Sequence, residues 1–150
     1  MRHYNMCLPS ISVSRIHREV LEGDFHSVKC RIESGESVNQ KETQCNFSLL
    51  HMAVLKNHLE ILKYLLAGKG IDVDARSSED KTPVFLATAF RYIESVEKLT
   101  RADADVNISD SENYFPLHVS AWHLDICHLL IQHVLESMLL THAVRRYYMS

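Results

Sequence analysis

The chain has 150 residues, 46% of them apolar and 23% charged, the ordinary range for one domain that buries a core without disulfide staples. Lys and Arg total 16 against 19 Asp and Glu, and a formal charge of −3 argues against nucleic acid or an anionic membrane as partner. Cys7, Cys30, Cys45 and Cys127 are irregularly spaced with no C-x-x-C pair, which excludes a zinc ribbon and a redox dithiol and leaves free thiols as the simple reading.

In chain order, residues 1–12 read as an N-terminal extension with no apolar run long enough for a signal-peptide core. Four segments then align: Ser14-Arg15-Ile16-His17, Ser48-Leu49-Leu50-His51, Thr82-Pro83-Val84-Phe85 and Phe115-Pro116-Leu117-His118, with last residues 34, 34 and 33 positions apart. Ser48 and Thr82 are placed to cap helix N-termini, and Pro83 and Pro116 suit the first turn, where no amide donor is needed. Farther on in the later units, Ile61, Leu62, Leu65 and Leu66, then Val96 and Leu99, then Ile126, Leu130 and Ile131 make apolar stripes on second helices. A period near 33 residues with two helices per unit predicts a solenoid in which each unit buries its stripe only against its neighbours. The spacing resembles that of the ankyrin repeat, which implies a glycine tip where the chain reverses between units; Asn46, Asp80 and Asn113 fill that position, and Asn and Asp are the residue types that best tolerate positive φ after glycine.

Several stretches resemble the ankyrin repeat: Thr82-Pro83-Val84-Phe85-Leu86-Ala87 running on to Ala104-Asp105-Val106-Asn107, and His51-Met52-Ala53 followed by His58-Leu59-Glu60-Ile61-Leu62 and Leu65-Leu66. Val38-Asn39 and Val73-Asp74 match the same closing signature as Val106-Asn107. The resemblance implies an all-α solenoid of helix-turn-helix units joined by short β-hairpin-like loops. Its domain spans residues 13–133, with repeats at about 13–40, 41–75, 76–108 and 109–133, and residues 134–150 follow as a C-terminal capping helix or tail. It also implies that His17, His51 and His118 bond backbone between neighbouring repeats.

Departures from that pattern are informative. Glu19 stands at a position of buried alanine and Arg31 at a leucine position, as suits a wetter end repeat with no neighbour on one side. One additional residue falls around Ala67-Gly68-Lys69-Gly70, where glycine reads as helix termination, since the spacing of a phosphate loop is absent. Only four residues separate His118 from His123, where six separate His51 from His58, so the first helix of the fourth unit is shortened or repacked.

Catalytic chemistry finds no residues to stand on. His118, His123, His128 and His133 are spaced by five, and steps of ~140° scatter them over several helix faces. Neither H-E-x-x-H nor a G-x-S-x-G elbow occurs, and Cys127 sits on an apolar stripe where a thiol is inert. No metal, cofactor or catalytic residue is therefore expected. Nor does any stretch approach the ~20 apolar residues of a membrane span.

What remains is binding. Ankyrin-like stacks present hairpin tips and first-helix faces side by side, which here places Gln44, Phe47, Leu55 and Lys56, then Glu79, Lys81 and Phe90, then Glu112, Tyr114 and Trp122 on one groove. The aromatic members carry the most contact area at the least entropy cost, although Phe47 and Trp122 are also candidates for packing between units. The expectation is a monomeric, non-catalytic adaptor or competitive inhibitor of a partner protein, in the cytoplasm and also the nucleus. Inhibitor-of-NF-κB-like proteins offer one analogy, and a segment of a larger scaffold, toxin or channel is the alternative.

Overall fold

Local chemistry sets the start of each first helix. In a computed structural model that describes residues 13–149, Ser48 caps α3 (Leu49–Leu55) by accepting from the His51 amide, and Thr82 caps α5 (Pro83–Ala89) by accepting from Phe85. Pro83 and Pro116 open their helices at the first position, as the sequence predicts. The other first helices are α1 (Arg15–Glu22) and α7 (Pro116–Val119), and the second helices are α2 (Phe25–Glu33), α4 (Leu59–Ala67), α6 (Ile93–Arg101) and α8 (Leu124–Tyr148).

These helices form two layers. First helices stack on first helices (α1 on α3, α3 on α5, α5 on α7) and second on second (α2 on α4, α4 on α6, α6 on α8), with each unit closed by its own antiparallel pair. The core runs between the layers as one continuous cluster from Ile16 and Val20 through Leu50, Leu62 and Leu65 to Val96, Leu99, Ile126 and Leu130. A solenoid buries its apolar stripes in this way because no single pair of short helices can do so alone. Among the described residues there are no strands, and the connecting loops contribute a single antiparallel bridge, Lys41 with Ser48.

Within each of the first three units the turn between helices uses a left-handed residue: Gly23 (φ 78°), Asn57 (φ 55°) and Arg91 (φ 62°). Gly23 also lies under the His58 ring, where an added Cβ would stand 2.7 Å from the imidazole, so both its dihedral and its space require glycine. The fourth unit lacks such a residue, because α7 spans only four residues and Trp122 occupies the place in the turn.

The polar departures in the first unit find each other. Arg31 Nε donates to Glu19 across 2.6 Å and its NH1 donates to Glu36 across 2.8 Å, so an ion-paired clasp replaces the missing leucine contact.

At the other end the helix that opens in the fourth repeat runs on through residue 133 into the expected capping helix without a break. The earlier second helices stop after nine residues at Ser34, Gly68 or Ala102, whereas Gln132-His133-Val134 supplies no residue suited to positive φ and α8 continues for 25 residues. The repeat's second helix and the expected cap are thus one helix. Only Ile126 and Leu130 are buried on it, and its distal half is exposed, so it caps little of the stack. By length and composition α8 could also cross a membrane, which corrects the reading that no stretch approaches that size: polar His128, Gln132, His133 and Glu136 disguise the segment in the sequence.

Cys30 and Cys127 are free thiols, as expected, but Cys45 is disulfide-bonded, which corrects the simple reading at that position. Residues 1–12, the expected N-terminal extension, lie outside the described part of the chain, as does residue 150.

Candidate protein-binding face

Three tips reverse the chain between units, and each turns on a left-handed residue: Asn46 (φ 57°), Asp80 (φ 58°) and Asn113 (φ 64°), the three positions the sequence singles out. What holds the tips rigid is a second set of residues that the sequence reading missed. Glu42, Ser77 and Asp110 are buried at equivalent positions and turn their side chains back into the loop. The Glu42 carboxylate accepts from the amides of Gln44, Cys45 and Phe47; Ser77 Oγ accepts from Glu79 (3.3 Å) and Lys81 (3.2 Å); Asp110 accepts from Glu112 (3.0 Å) and Tyr114 (2.9 Å). Burying an acidic or hydroxyl group is tolerable only because amide donors surround it. The common signal is an oxygen-bearing side chain three or four residues before each left-handed position.

Adjacent tips are tied in series. The Ser78 amide donates to the Cys45 carbonyl (2.8 Å) and Ser111 to Glu79 (3.0 Å), so the three loops form one ribbon along the stack. Underneath, His51 accepts the Ser48 amide on Nδ1 (3.1 Å), which leaves the proton on Nε2 to be donated to the Lys81 carbonyl of the next unit (2.8 Å). His17 makes the corresponding bond to Gln40 (3.3 Å). Burial drives the His51 pKa down to about 4, so the ring is the neutral donor this geometry needs. His118 receives the Phe115 amide in the same way but stands exposed. The closing signatures lace the units together as well, for Asn39 accepts from Asp72 and Asp74 from Asp105, each across 2.8 Å. Burial, followed by the charges of Asp105 and Asp72, opposes ionisation of the Asp74 carboxyl and, against the Asp105 amide bond, raises its pKa.

The groove residues named from the sequence divide into groups. Gln44, Glu79 and Glu112 stand on successive tips, with Gln44 and Glu112 exposed and Glu79 half-buried against the Lys81 ammonium. Tyr114 is half-buried and edge-on to His118. Leu55, Lys56 and Phe90 gather at the opposite, C-terminal ends of α3 and α5, where Phe90 stacks on Tyr92 at 5.7 Å. Two aromatic placements differ from expectation. Phe47 is buried, stacked on the His51 ring at 5.4 Å, and offers a partner no surface, because the residue after the left-handed Asn46 turns inward. Trp122 is 91% exposed but lies on the α7–α8 turn, off the row of tips. The first helices present less than expected: α3 and α5 bury every residue except the last. Among the described residues no three His, Cys, Asp or Glu converge to hold a metal ion.

Braced tips in register over two helical layers define a class of repeat protein, and comparison with known sequences gives its family. A family model for ankyrin repeats, in three copies, matches residues 16–110. The chain is 33% identical over 126 residues to palmitoyltransferase AKR1 of Kluyveromyces lactis, covering 82% of this chain and 16% of that protein. Ankyrin repeat protein FPV031 of Fowlpox virus is 31% identical over 116 residues, 73% of this chain and 34% of the viral protein, and human palmitoyltransferase ZDHHC13 is 30% identical over 99 residues, 65% and 16%. The chain belongs to the ankyrin repeat family. It spans about a sixth of the length of the palmitoyltransferases it matches and about a third of the viral protein.

Proposed function

We propose that this chain is a non-catalytic protein-binding module, acting as an adaptor or competitive inhibitor, and that it holds a partner along the row of tips and the adjoining ends of α3 and α5. The observation that carries this reading is the internal brace of each tip. With Glu42, Ser77 and Asp110 satisfying the loop amides, the tip residues Gln44, Glu79, Glu112 and Tyr114 are held at fixed spacing along a ribbon of linked loops, with Lys81 folded in against Glu79. A rigid row of polar and aromatic groups binds at low ordering cost. Phe90, Tyr114 and Lys56 supply the aromatic and cationic contacts.

Capture of partners from a cell extract, with the triple variant Lys56→Ala, Phe90→Ala and Tyr114→Ala beside the parent chain, tests this face. Loss of the captured protein with unchanged helical circular dichroism is expected; undiminished capture overturns the assignment.

A second reading is favoured by the coverage of the relatives: these repeats serve as the interaction segment of a larger protein, as the matched regions form small parts of longer chains. Nothing of palmitoyl transfer enters this proposal, since the activity in those names belongs to proteins matched over about a sixth of their length.

A further inference from the structure

Of the three left-handed turns between paired helices, two use residue types suited to that backbone, Gly23 and Asn57, while the third uses Arg91 at φ 62°. The left-handed region crowds Cβ against the following carbonyl oxygen, so an arginine there holds its backbone at a cost that glycine would remove. Nothing inside the protein repays that cost. Arg91 is exposed, and its side chain enters no hydrogen bond or ion pair among the described residues. The bonds that close the turn, Arg91 to the Thr88 carbonyl (3.1 Å) and Tyr92 to the Ala87 carbonyl (2.9 Å), are made by backbone amides that any residue but proline supplies.

The surroundings of Arg91 form one surface. Phe90 and Tyr92 flank it in sequence and stack on each other at 5.7 Å, both half-buried. On the neighbouring turn Lys56 is exposed and also without an ion pair among the described residues. Ser95 Oγ donates to the Asn57 side chain (3.4 Å) and so ties the two turns together, and the packing of helices in adjoining units sets them roughly 10 Å apart. The acids that follow these turns in sequence, Glu60 and Glu94, stand in the first turns of α4 and α6, where the helix dipole favours them, and neither pairs with Lys56 or Arg91. Both turns belong to units with a neighbour on either side, so this surface is open along the flank of the stack and not at an end.

We propose that this flank takes an acidic segment of the partner protein, Arg91 pairing with one carboxylate and Lys56 with a second, while the stacked Phe90 and Tyr92 rings meet an apolar side chain beside them. Acidic recognition here rests on the reading that the ends of α3 and α5 belong to the binding face, and it adds the partner's chemistry and the residue that selects it. Arginine suits the task because its planar fork grips a carboxylate through two parallel bonds, which no residue better suited to the turn could do. At about 3.3 Å per residue, a span of roughly 10 Å places the two acids about three residues apart in an extended segment. Nucleic acid is the poorer fit, since a chain of net charge −3 with two cations on this flank offers no continuous track for phosphates.

Panning random peptides displayed on phage against the immobilised chain, followed by fluorescence anisotropy of the enriched peptides, tests this. Peptides with paired Asp or Glu are expected, with Arg91→Gly weakening them at least about tenfold, Arg91→Lys weakening them less, and Lys56→Glu with Arg91→Glu selecting basic peptides instead. Arg91→Gly should not lower the midpoint of thermal unfolding, because glycine is at ease in the left-handed region; a lowered midpoint assigns Arg91 to the fold and overturns the proposal. Enriched peptides that lose binding to the Lys56→Ala, Phe90→Ala and Tyr114→Ala variant, yet carry no acids or are indifferent to Arg91→Gly, overturn acidic recognition and leave the binding face standing. Peptides indifferent to both variants, or no enrichment at all, remove the face and its acidic partner together. Tighter binding of a labelled oligothymidylate than of the acidic peptides also overturns the proposal.

Discussion

The two ends of this stack solve one problem in opposite ways. At the N-terminal end the outward surface of α1 and α2 carries Arg15, Arg18, Glu22 and Glu33, and the interior departures Glu19 and Arg31 are joined in a clasp with Glu36. At the C-terminal end Leu117 and Ile131 face solvent at positions where Leu50, Val84 and Thr100 are buried, and Trp122 and Leu124 are exposed beside them. The contrast teaches that the outer units differ both in which residues they show and in their helices, α7 having four residues and α8 25 where α1 and α2 have eight and nine. Charge meets solvent on one outer unit and apolar side chains on the other.

The sharpest way to probe that contrast is to cut side chains back at equivalent depths. Leu99→Ala, in the sealed interior, should cost about 2–5 kcal/mol in urea unfolding, whereas Leu135→Ala should cost under about 0.5 kcal/mol where the chain is monomeric. Equal losses would show that the distal half of α8 is packed after all.

Acid should act next most strongly, at the buried His51. His51 takes a proton near pH 6.5 in the unfolded chain but only at about 4 when folded, so below 6.5 the unfolded state binds more protons. Its contribution is complete above pH 6.5 and is lost as pH falls toward 4, a loss of about 3 kcal/mol. Stability curves of the parent and His51→Gln should therefore converge toward pH 4; parallel curves would remove the neutral-donor account.

At the charged end, Arg31→Met or Glu19→Gln alone should destabilise more than the two together, because each single change leaves a half-buried charge unpaired. Additive losses in a double-mutant cycle would mean that the clasp is ornamental to folding. The smallest effect belongs to Trp122→Ser, which should shift monomer stability by less than about 0.5 kcal/mol, read by the midpoint of thermal unfolding, despite the size of the side chain removed.

Much of the architecture is legible in the residues. The 34-residue period, the caps at Ser48 and Thr82, the opening prolines and the left-handed tips at Asn46, Asp80 and Asn113 are local signals, and the structure realises each one. Features that depend on side chains meeting only in the folded chain were hidden. Glu42, Ser77 and Asp110 brace the tips with three different side chains, so no shared letter marks them. Glu19 and Arg31 each read as wet positions, but their pairing exists only once α1 lies on α2. The binding face was legible in part: spacing located the tips but not the inward turn of Phe47 or the displacement of Trp122 by the short α7.

Because the Asp110 brace satisfies the amides of its tip from within, the exposed side chain of Glu112 is released from architectural duty. Glu112 can be exchanged for almost any polar or aromatic residue without disturbing the loop that carries it. Selection is then able to rewrite what that tip recognises, while the frame beneath is inherited intact.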